Sequence, residues 1–171
     1  MQRKIPNSNF QSKPSDAKVF LSEALFDEWI RICRDALPGK AYGLVGGTDL
    51  YHPTNFYPCT TNFRNTPEWR PIFESFGDFY KNPDLGFVIA PSEVRGVIQT
   101  MAERKESLIG VFHSHRFLYA EPSDLDIGLS ADPNMLCYIV SLVDPAVPKY
   151  GVFELAAGAY QSIPIVKLKE G

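Results

Sequence analysis

The chain carries the sequence LIGVFHSHRFLYAEPSDLD at residues 108–126, and the interpretation of the whole protein starts there. The apolar run Leu108 to Phe112 predicts a buried strand that leads directly into His113-Ser114-His115. The pattern Ser123-x-x-Asp126 is typical of a helix start, because a serine hydroxyl and an acid three residues later satisfy amides of the first turn. The stretch therefore predicts a strand, a loop and a helix, with two histidines where the strand ends.

These residue types at this spacing match a metal site. Side chains two residues apart on a strand point to the same face, so His113 and His115 can reach one ion at about 2.0–2.1 Å. Asp126, one turn into the helix, can complete the ligand set. Two imidazoles and a carboxylate leave one position open, as in catalytic zinc sites, where zinc lowers the pKa of bound water toward about 7. Ser123 is then placed to donate a hydrogen bond to an oxyanion.

Simpler interpretations of the two fragments stay open. Two histidines spaced by one residue also occur on strands as surface residues. Ser123 with Asp126 is by itself an ordinary helix cap. The metal interpretation rests on finding both fragments together, in the order strand, histidines, loop, helix.

Composition limits the function classes. The 171 residues predict one domain, with residues 1–18 as a flexible N-terminal arm and residues 19–171 as the folded part. The net charge of -3 argues against nucleic acid or an anionic membrane as partner. The sequence has no apolar run near the roughly 18 residues of a membrane span and no secretory signal. Three widely spaced cysteines predict no disulfide framework and fit the cytoplasm.

Periodicity predicts helices and strands in mixed order. A helix capped by Ser22 should run to about Leu37, with an apolar face formed by Leu25, Phe26, Trp29, Ile30, Cys33 and Leu37. Further helices are expected from Pro71, with Ile72, Phe73, Phe76, Phe79 and Tyr80 on one face, and from a cap at Ser92 to about Arg104, with Val94, Val97, Ile98 and Met101 inward. Strands are expected at 19–21, 41–46, 49–60, 86–90, 108–113 and 135–143, with a closing hairpin of 150–157 and 160–168 that turns at Ala157-Gly158. Without strict alternation, this order favours an α+β class, a mixed β-sheet flanked by helices.

With these residues the chain resembles the JAMM (MPN+, JAB, Mov34/PAD-1-like) zinc metallopeptidases of the prokaryotic type. The family pattern is a Glu on an early strand, then H-[ST]-H-P, then S-x-x-D beginning seven positions later. His113-Ser114-His115 and Ser123-x-x-Asp126 match this pattern, and the flanking residues 110–112, Pro122 and 138–142 agree with it. As an order of elements, the resemblance covers about residues 19–168.

The resemblance implies the JAB/MPN (cytidine-deaminase-like) fold and Zn2+ bound by His113, His115 and Asp126. It also implies hydrolysis of peptide or isopeptide bonds, commonly at the C-terminal tail of ubiquitin-like proteins. Small prokaryotic members process ubiquitin-like sulfur carriers or cell-wall peptides, so the partner implied here is a peptide or protein substrate of that kind.

Two positions depart from the family pattern. The opening strand of the family reads P-x-E-x-C-G, and its Glu moves the proton of the zinc water, whereas residues 38–43 here read PGKAYG. Lys40 therefore stands at the Glu position, and Arg116 replaces the Pro after the second histidine. An ammonium about 5 Å from a divalent ion is repelled by roughly 6–7 kcal/mol at an effective ε of about 20. Lys40 must then swing away, lose its proton or weaken metal binding.

Two sources of a catalytic base stay open. A desolvated, neutral Lys40 could accept a proton, because burial and a nearby cation both lower its pKa. Glu121, on the loop beside Ser123, is the local carboxylate that could substitute, although a solvated loop acid is the simpler interpretation.

Two functions therefore compete. One is a zinc-dependent peptidase or isopeptidase, and the other is a catalytically silent module that keeps the fold and binds a partner. Docking candidates for the second are the N-terminal arm and the aromatic segment 69–80, whose simpler interpretation is local core packing. A zinc deaminase is disfavoured, because the chain lacks the H-x-E and P-C-x-x-C signatures.

Overall fold

The structure is a computed structural model that describes residues 16–130, 132, 134–156 and 159–171. The helices and strands in these residues, with one 3-10 helix at Asp78–Lys81, are β1 (Val19–Ser22), α1 (Glu23–Asp35), β2 (Tyr42–Asp49), β3 (His52–Pro58), α2 (Arg70–Glu74), α3 (Pro91–Glu103), β4 (Ser107–His115), α4 (Asp124–Ser130), β5 (Leu136–Ser141), β6 (Lys149–Ala156), β7 (Ala159–Ile163) and β8 (Ile165–Leu168). Residues 1–15 of the predicted arm and the turn predicted at Ala157-Gly158 lie outside the described residues.

Most of the described strands form one mixed sheet with the order β3-β2-β4-β5-β6-β7. β4 and β5 run parallel, and the other neighbours are antiparallel. β1 and β8 pair in parallel as a separate two-stranded sheet. The predicted α+β class, a mixed sheet flanked by helices, is confirmed. The strand with the histidines, β4, lies in the interior of the sheet.

Helix α1 covers one face of the sheet, as its periodicity predicts. The Leu25 amide donates to the Ser22 hydroxyl over 3.1 Å, which confirms Ser22 as the cap. Trp29 is fully buried and stacks on Phe56 with ring centroids 5.4 Å apart. Trp29 also meets the ring of Tyr138 on β5, so α1 packs against both the edge strand β3 and the interior of the sheet, where burial of each large apolar side chain contributes about 1.5–3 kcal/mol.

The opposite face of the sheet carries α3, and this is the face of the candidate metal ligands. Phe112 packs into the core beneath α1, whereas its neighbour Val111 packs on the other side with Met101 of α3. Because side chains alternate along a strand, His113 and His115 follow Val111 onto the α3 side. Tyr42 of β2 lies directly opposite His113 in the register of the two strands.

The strand predicted at 86–90 is wrong, since this segment is irregular. Side chains satisfy its amides instead of a neighbouring strand: Val88 N donates to the Asn62 side chain and Ala90 N to the Thr61 hydroxyl, over 3.0 and 2.9 Å. The cap predicted at Ser92 is also wrong. Helix α3 begins at Pro91, with Ala90 as N-cap and no side-chain cap, because a proline is already set for the first helical position.

Three predicted details of packing differ from the structure. The helix from Pro71 is short, because the chain leaves α2 after Glu74 and resumes as the 3-10 helix. On these elements Phe73 and Tyr80 are buried, whereas Ile72 and Phe79 are exposed, as is Ile98 on α3. The last strand of the predicted hairpin divides at Pro164, which has no amide hydrogen to donate. β7 then pairs with β6, and β8 pairs with β1.

The aromatic segment 69–80 packs mainly within the protein. Phe73 and Tyr80 form a buried cluster with Leu125 of α4, and Trp69 and Phe76 pack against it. Local core packing is thus the interpretation that the contacts support. All three cysteines are free and buried. Within the described ranges, no helix combines the length and apolar character needed to cross a membrane.

Candidate metal centre

The three predicted ligands meet at the end of β4. His115 is the last residue of that strand, and His113 lies two residues before it. Asp126 lies in the first turn of α4. All three are buried, with 5%, 8% and 8% of their surfaces exposed. The parallel neighbour β5 and the antiparallel neighbour β2 hold the strand end in register, so the two imidazoles are fixed before any ion binds.

The distances between the ligand atoms fit a single ion. His113 Nε2 lies 3.0 Å from His115 Nε2 and 3.2 Å from Asp126 Oδ1, and His115 Nε2 lies 3.7 Å from Asp126 Oδ2. Ligands about 2.0–2.1 Å from a tetrahedral zinc ion are separated by roughly 3.3–3.4 Å. The observed separations bracket this value, so the three side chains can share zinc with small adjustments of their rotamers.

The hydrogen bonds of His115 leave the correct nitrogen for metal. Its Nδ1 lies 2.7 Å from the carbonyl oxygen of Tyr119, and a carbonyl only accepts, so Nδ1 carries the proton. The lone pair of Nε2 then points at the other two ligands. His113 Nδ1 is buried with no hydrogen-bond partner among the described residues, and the His113 ring lies 5.5 Å from the ring of Phe87. If both Nε2 atoms are unprotonated, they and the Asp126 carboxylate face one another as acceptors, and a cation between them would stabilise that arrangement.

Asp126 stays ionised in this setting. Burial by itself raises the pKa of its carboxyl group, but the charges and hydrogen bonds of His113 and His115 outweigh burial and hold that pKa far below its usual range. A buried carboxylate beside two imidazoles is the form that a divalent ion requires.

Ser123 and Asp126 form the capping box, and the box orients the ligand. Asp126 Oδ2 accepts hydrogen bonds from the Ser123 amide and hydroxyl over 2.7 and 2.8 Å, and Asp126 N lies 3.3 Å from the Ser123 hydroxyl. The other oxygen, Oδ1, is left toward His113. The cap and the metal site are therefore the same arrangement and not alternatives. The Ser123 hydroxyl must turn away from Asp126 before it can donate to an oxyanion.

Replacement of Ser123 by alanine is expected to weaken both the helix and the metal site. The free energy of unfolding should fall by about 1 kcal/mol because the N-cap is lost. Zinc affinity should fall about 10–100-fold because Asp126 loses a partner that orients it. Urea denaturation of the metal-free protein and zinc titration against a competing chelator measure the two effects. Ser92→Ala is the matched control, since Ser92 is exposed on α3 and caps nothing. An unchanged zinc affinity in Ser123→Ala would contradict the role of the box.

Lys40 lies beside the site but its ammonium group is occupied. It precedes β2 and lines the same cleft as the three ligands. Its Nζ donates to the carbonyl oxygens of Asp84 and Gly86. Burial, followed by the charge of Arg116, lowers the pKa of Lys40 to about 8. The ammonium group therefore donates to the loop carbonyls, and a pKa of about 8 leaves it mostly protonated at pH 7.

Gly86 makes this contact possible. Its φ of +78° lies in the left-handed region, and an added Cβ would meet the ring of Phe73. The turn therefore requires glycine, and the turn presents the Gly86 carbonyl to Lys40.

Arg116, at the other departure from the family pattern, also ties the loop to the strand ends. Its guanidinium donates to the carbonyl of Pro38, lies 3.7 Å from the Asp84 carboxylate and covers the ring of Phe117 at 4.9 Å. Arg116 lines the cleft together with Lys40. Both departures therefore place a cation in the same wall.

Glu121 is not brought to the ligands. Its carboxylate is exposed and accepts a hydrogen bond from the Tyr160 hydroxyl over 3.3 Å, at the outer strand β7. It is absent from the described lining of the cleft. The structure thus places Glu121 where the simpler interpretation expected it, on the surface.

Sequence reasoning missed the facing wall of the cleft. Tyr80 belongs to the 3-10 helix, Leu85 and Phe87 belong to the segment between that helix and α3, and all three line the cleft. Arg64 holds this segment: it is 1% exposed and donates to the carbonyl oxygens of Tyr80, Asn82 and Leu85. Only the Pro83-to-Gly86 turn signal could have indicated a loop here, and no pattern relates that loop to β4.

The comparisons with known proteins agree with this geometry. The family model for prokaryotic homologs of the JAB domain matches residues 22–153. The solution structure of protein DSY2949 from Desulfitobacterium hafniense is similar, with 24% identity, a TM-score of 0.69 and coverage of 89% of this chain and 94% of that one. A solution structure of a protein from Salinibacter ruber shows 22% identity, a TM-score of 0.58 and coverage of 88% and 92%. These two likenesses concern the fold.

A search among the curated proteins gave no match. The family match spans most of the chain, from the cap of α1 to β6, and includes both histidines and Asp126. The protein therefore belongs to the family of prokaryotic homologs of the JAB domain.

Proposed function

We propose that this protein is a zinc-dependent peptidase of the JAMM type, which hydrolyses a peptide or isopeptide bond at the tail of a ubiquitin-like protein or sulfur carrier. The convergence of His113, His115 and Asp126 carries the proposal, because their ligand atoms lie within 4.8 Å of one another in a buried site. Membership of the JAB family and the proton on Nδ1 of His115 both support it.

In this proposal, the residues of the site bind the ion, orient one of its ligands and stabilise developing negative charge. Zinc bound there would polarise a carbonyl oxygen and lower the pKa of water. His113, His115 and Asp126 hold the ion, and Ser123 orients Asp126. The Ser123 hydroxyl, once turned into the cleft, donates to the oxygen on which negative charge develops. Phe87 and Leu125 line the cleft and reduce the water around the reacting bond.

A second candidate function is favoured by Lys40. A protonated ammonium bound to two carbonyl oxygens cannot accept a proton, and Glu121 lies outside the cleft. The protein would then be a catalytically silent module that keeps the fold and the ion and binds a partner. The two candidates share the metal site and differ in turnover.

The experiment joins metal analysis with a cleavage assay. We expect about one zinc ion per purified chain, and slow cleavage of ubiquitin-like fusions or of a peptide library, followed by mass spectrometry. A chelator should abolish the cleavage, and added zinc should restore it. Zinc without any cleavage would favour the silent module, and a chain that binds no zinc would contradict the peptidase.

A further inference from the structure

With a divalent ion bound, the cleft at the candidate metal centre would carry an excess of positive charge. Among its described lining residues, Lys40 and Arg116 are cations, and Asp84 and Asp126 are anions. These four charges cancel, so the double charge of a bound divalent ion stays uncompensated. A glutamate at position 40 would remove this excess. The cleft of this chain is therefore suited to an anionic ligand.

Both cations keep unused hydrogen-bond donors. A lysine ammonium has three donors, and Lys40 uses two of them on the carbonyl oxygens of Asp84 and Gly86. Arg116 has five donors and uses Nη1 on the Pro38 carbonyl. The Asp84 carboxylate neutralises the pair incompletely, because its side chain is 66% exposed and lies 3.7 Å from the Arg116 Nη2. An incoming anion can therefore be bound by Lys40 and Arg116 without breaking the contacts that hold the loop.

The remaining walls of the cleft are mainly apolar. Leu85 and Phe87 come from the loop, Phe117 and Leu118 follow the histidines, and Leu125 belongs to α4. A ligand that suits these walls has an apolar body and one negatively charged end.

From this charge complementarity we propose that Lys40 and Arg116 bind the free C-terminal carboxylate of a peptide whose last residues occupy the cleft. The inference rests on the proposed function and narrows its substrate class to peptides that have a free C-terminus. In this proposal, position 40 no longer carries the glutamate that transfers a proton in the family pattern. Its lysine binds the C-terminal carboxylate of the substrate instead. Lys40 is a specificity-determining residue in this proposal.

The test compares two fluorescein-labelled pentapeptides of one apolar sequence, one ending in a free carboxylate and the other in an amide. Fluorescence anisotropy measures their binding to the zinc-loaded and the metal-free protein. We expect the acid to bind at least about tenfold more tightly than the amide, because a charge-assisted contact is lost in the amide. Equal binding of the two peptides would overturn the proposal.

Variants assign the preference to the two cations. Lys40→Met and Arg116→Gln should each bring the two affinities within about threefold, and Lys40→Arg should keep the preference. Lys149→Met is the matched control, since Lys149 is exposed at the start of β6 and lies outside the cleft lining. If Lys40→Met unfolds, the wild-type comparison and Arg116→Gln still decide. A preference that survives in both charge-removing variants would assign the carboxylate to the ion alone and overturn the proposal.

Competition by inorganic phosphate and measurement of cleavage distinguish a general anion site and a peptidase without carboxylate recognition from the proposed site. Displacement of both peptides by phosphate, with no difference between acid and amide, would show an anion site of another kind and overturn the proposal. Mass spectrometry of the same mixtures reports cleavage independently. A preference for the acid without cleavage supports this inference and argues against the peptidase. Cleavage of acid and amide peptides at equal rates and affinities would support the peptidase and overturn the inference.

Discussion

Replacement of Asp126 by asparagine is expected to abolish stoichiometric zinc binding. The amide has nearly the volume of the carboxylate and can still accept a hydrogen bond from the Ser123 amide, so α4 keeps its cap. An uncharged amide oxygen is, however, not among the ligands that zinc prefers. We expect a loss of affinity of about 10³-fold or more, equivalent to about 4 kcal/mol, which exceeds the effect of removing an outer partner such as Ser123.

Zinc titration against a chelator measures this loss directly, and thermal unfolding provides a second readout. Zinc at 1,000 times its dissociation constant should stabilise the wild type by about 4 kcal/mol and leave Asp126→Asn almost unchanged. Asp49→Asn is the matched control, because Asp49 is exposed, pairs with His52 and does not line the cleft. If Asp126→Asn retained one tightly bound zinc ion, the ion would have to lie elsewhere in the protein.

Replacement of Lys40 by glutamate is expected to raise turnover by about 10²–10⁴-fold, the usual contribution of a positioned general base. Lys40 already lies in the wall of the cleft, so the exchange places a carboxylate beside the ligands, where the family pattern has one. The exchange also sets that carboxylate against the carbonyl oxygens of Asp84 and Gly86, so the loop must adjust. Circular dichroism and thermal unfolding check that the variant folds.

The rate should be measured on an amide-terminated peptide, because Lys40→Glu is also expected to weaken binding of a free carboxylate. Lys40→Gln separates the two effects: it removes the cation without supplying a base, so it should not raise turnover. Activity that appears only in Lys40→Glu would identify the natural chain as a silenced peptidase. An active wild type whose rate is the same in Lys40→Glu would show that position 40 takes no part in proton transfer.

Local patterns were sufficient for much of the fold and for bringing the candidate ligands together. The cap at Ser22 and the buried face of α1 follow from spacings within one helix, and the structure confirms them. The two histidines lie at the end of one strand, and Asp126 lies in the first turn of the next helix, so a few residues of local geometry determine their directions. Secondary-structure predictions failed where contacts with residues distant in the sequence determine the backbone conformation. The segment 86–90 is apolar enough for a strand, but Asn62 and Thr61 satisfy its amides.

The sequence by itself determined the candidate ligand set, the helix cap that orients Asp126 and the presence of a lysine at position 40. Only the tertiary structure decided what that lysine does. Its partners, the carbonyl groups of Asp84 and Gly86, lie more than forty residues away along the chain, on a loop held in place by Arg64. Backbone carbonyls carry no sequence signal, and contacts between distant segments depend on how the whole chain packs. The charge of the cleft could therefore be assigned only once the loop and the strand were seen together.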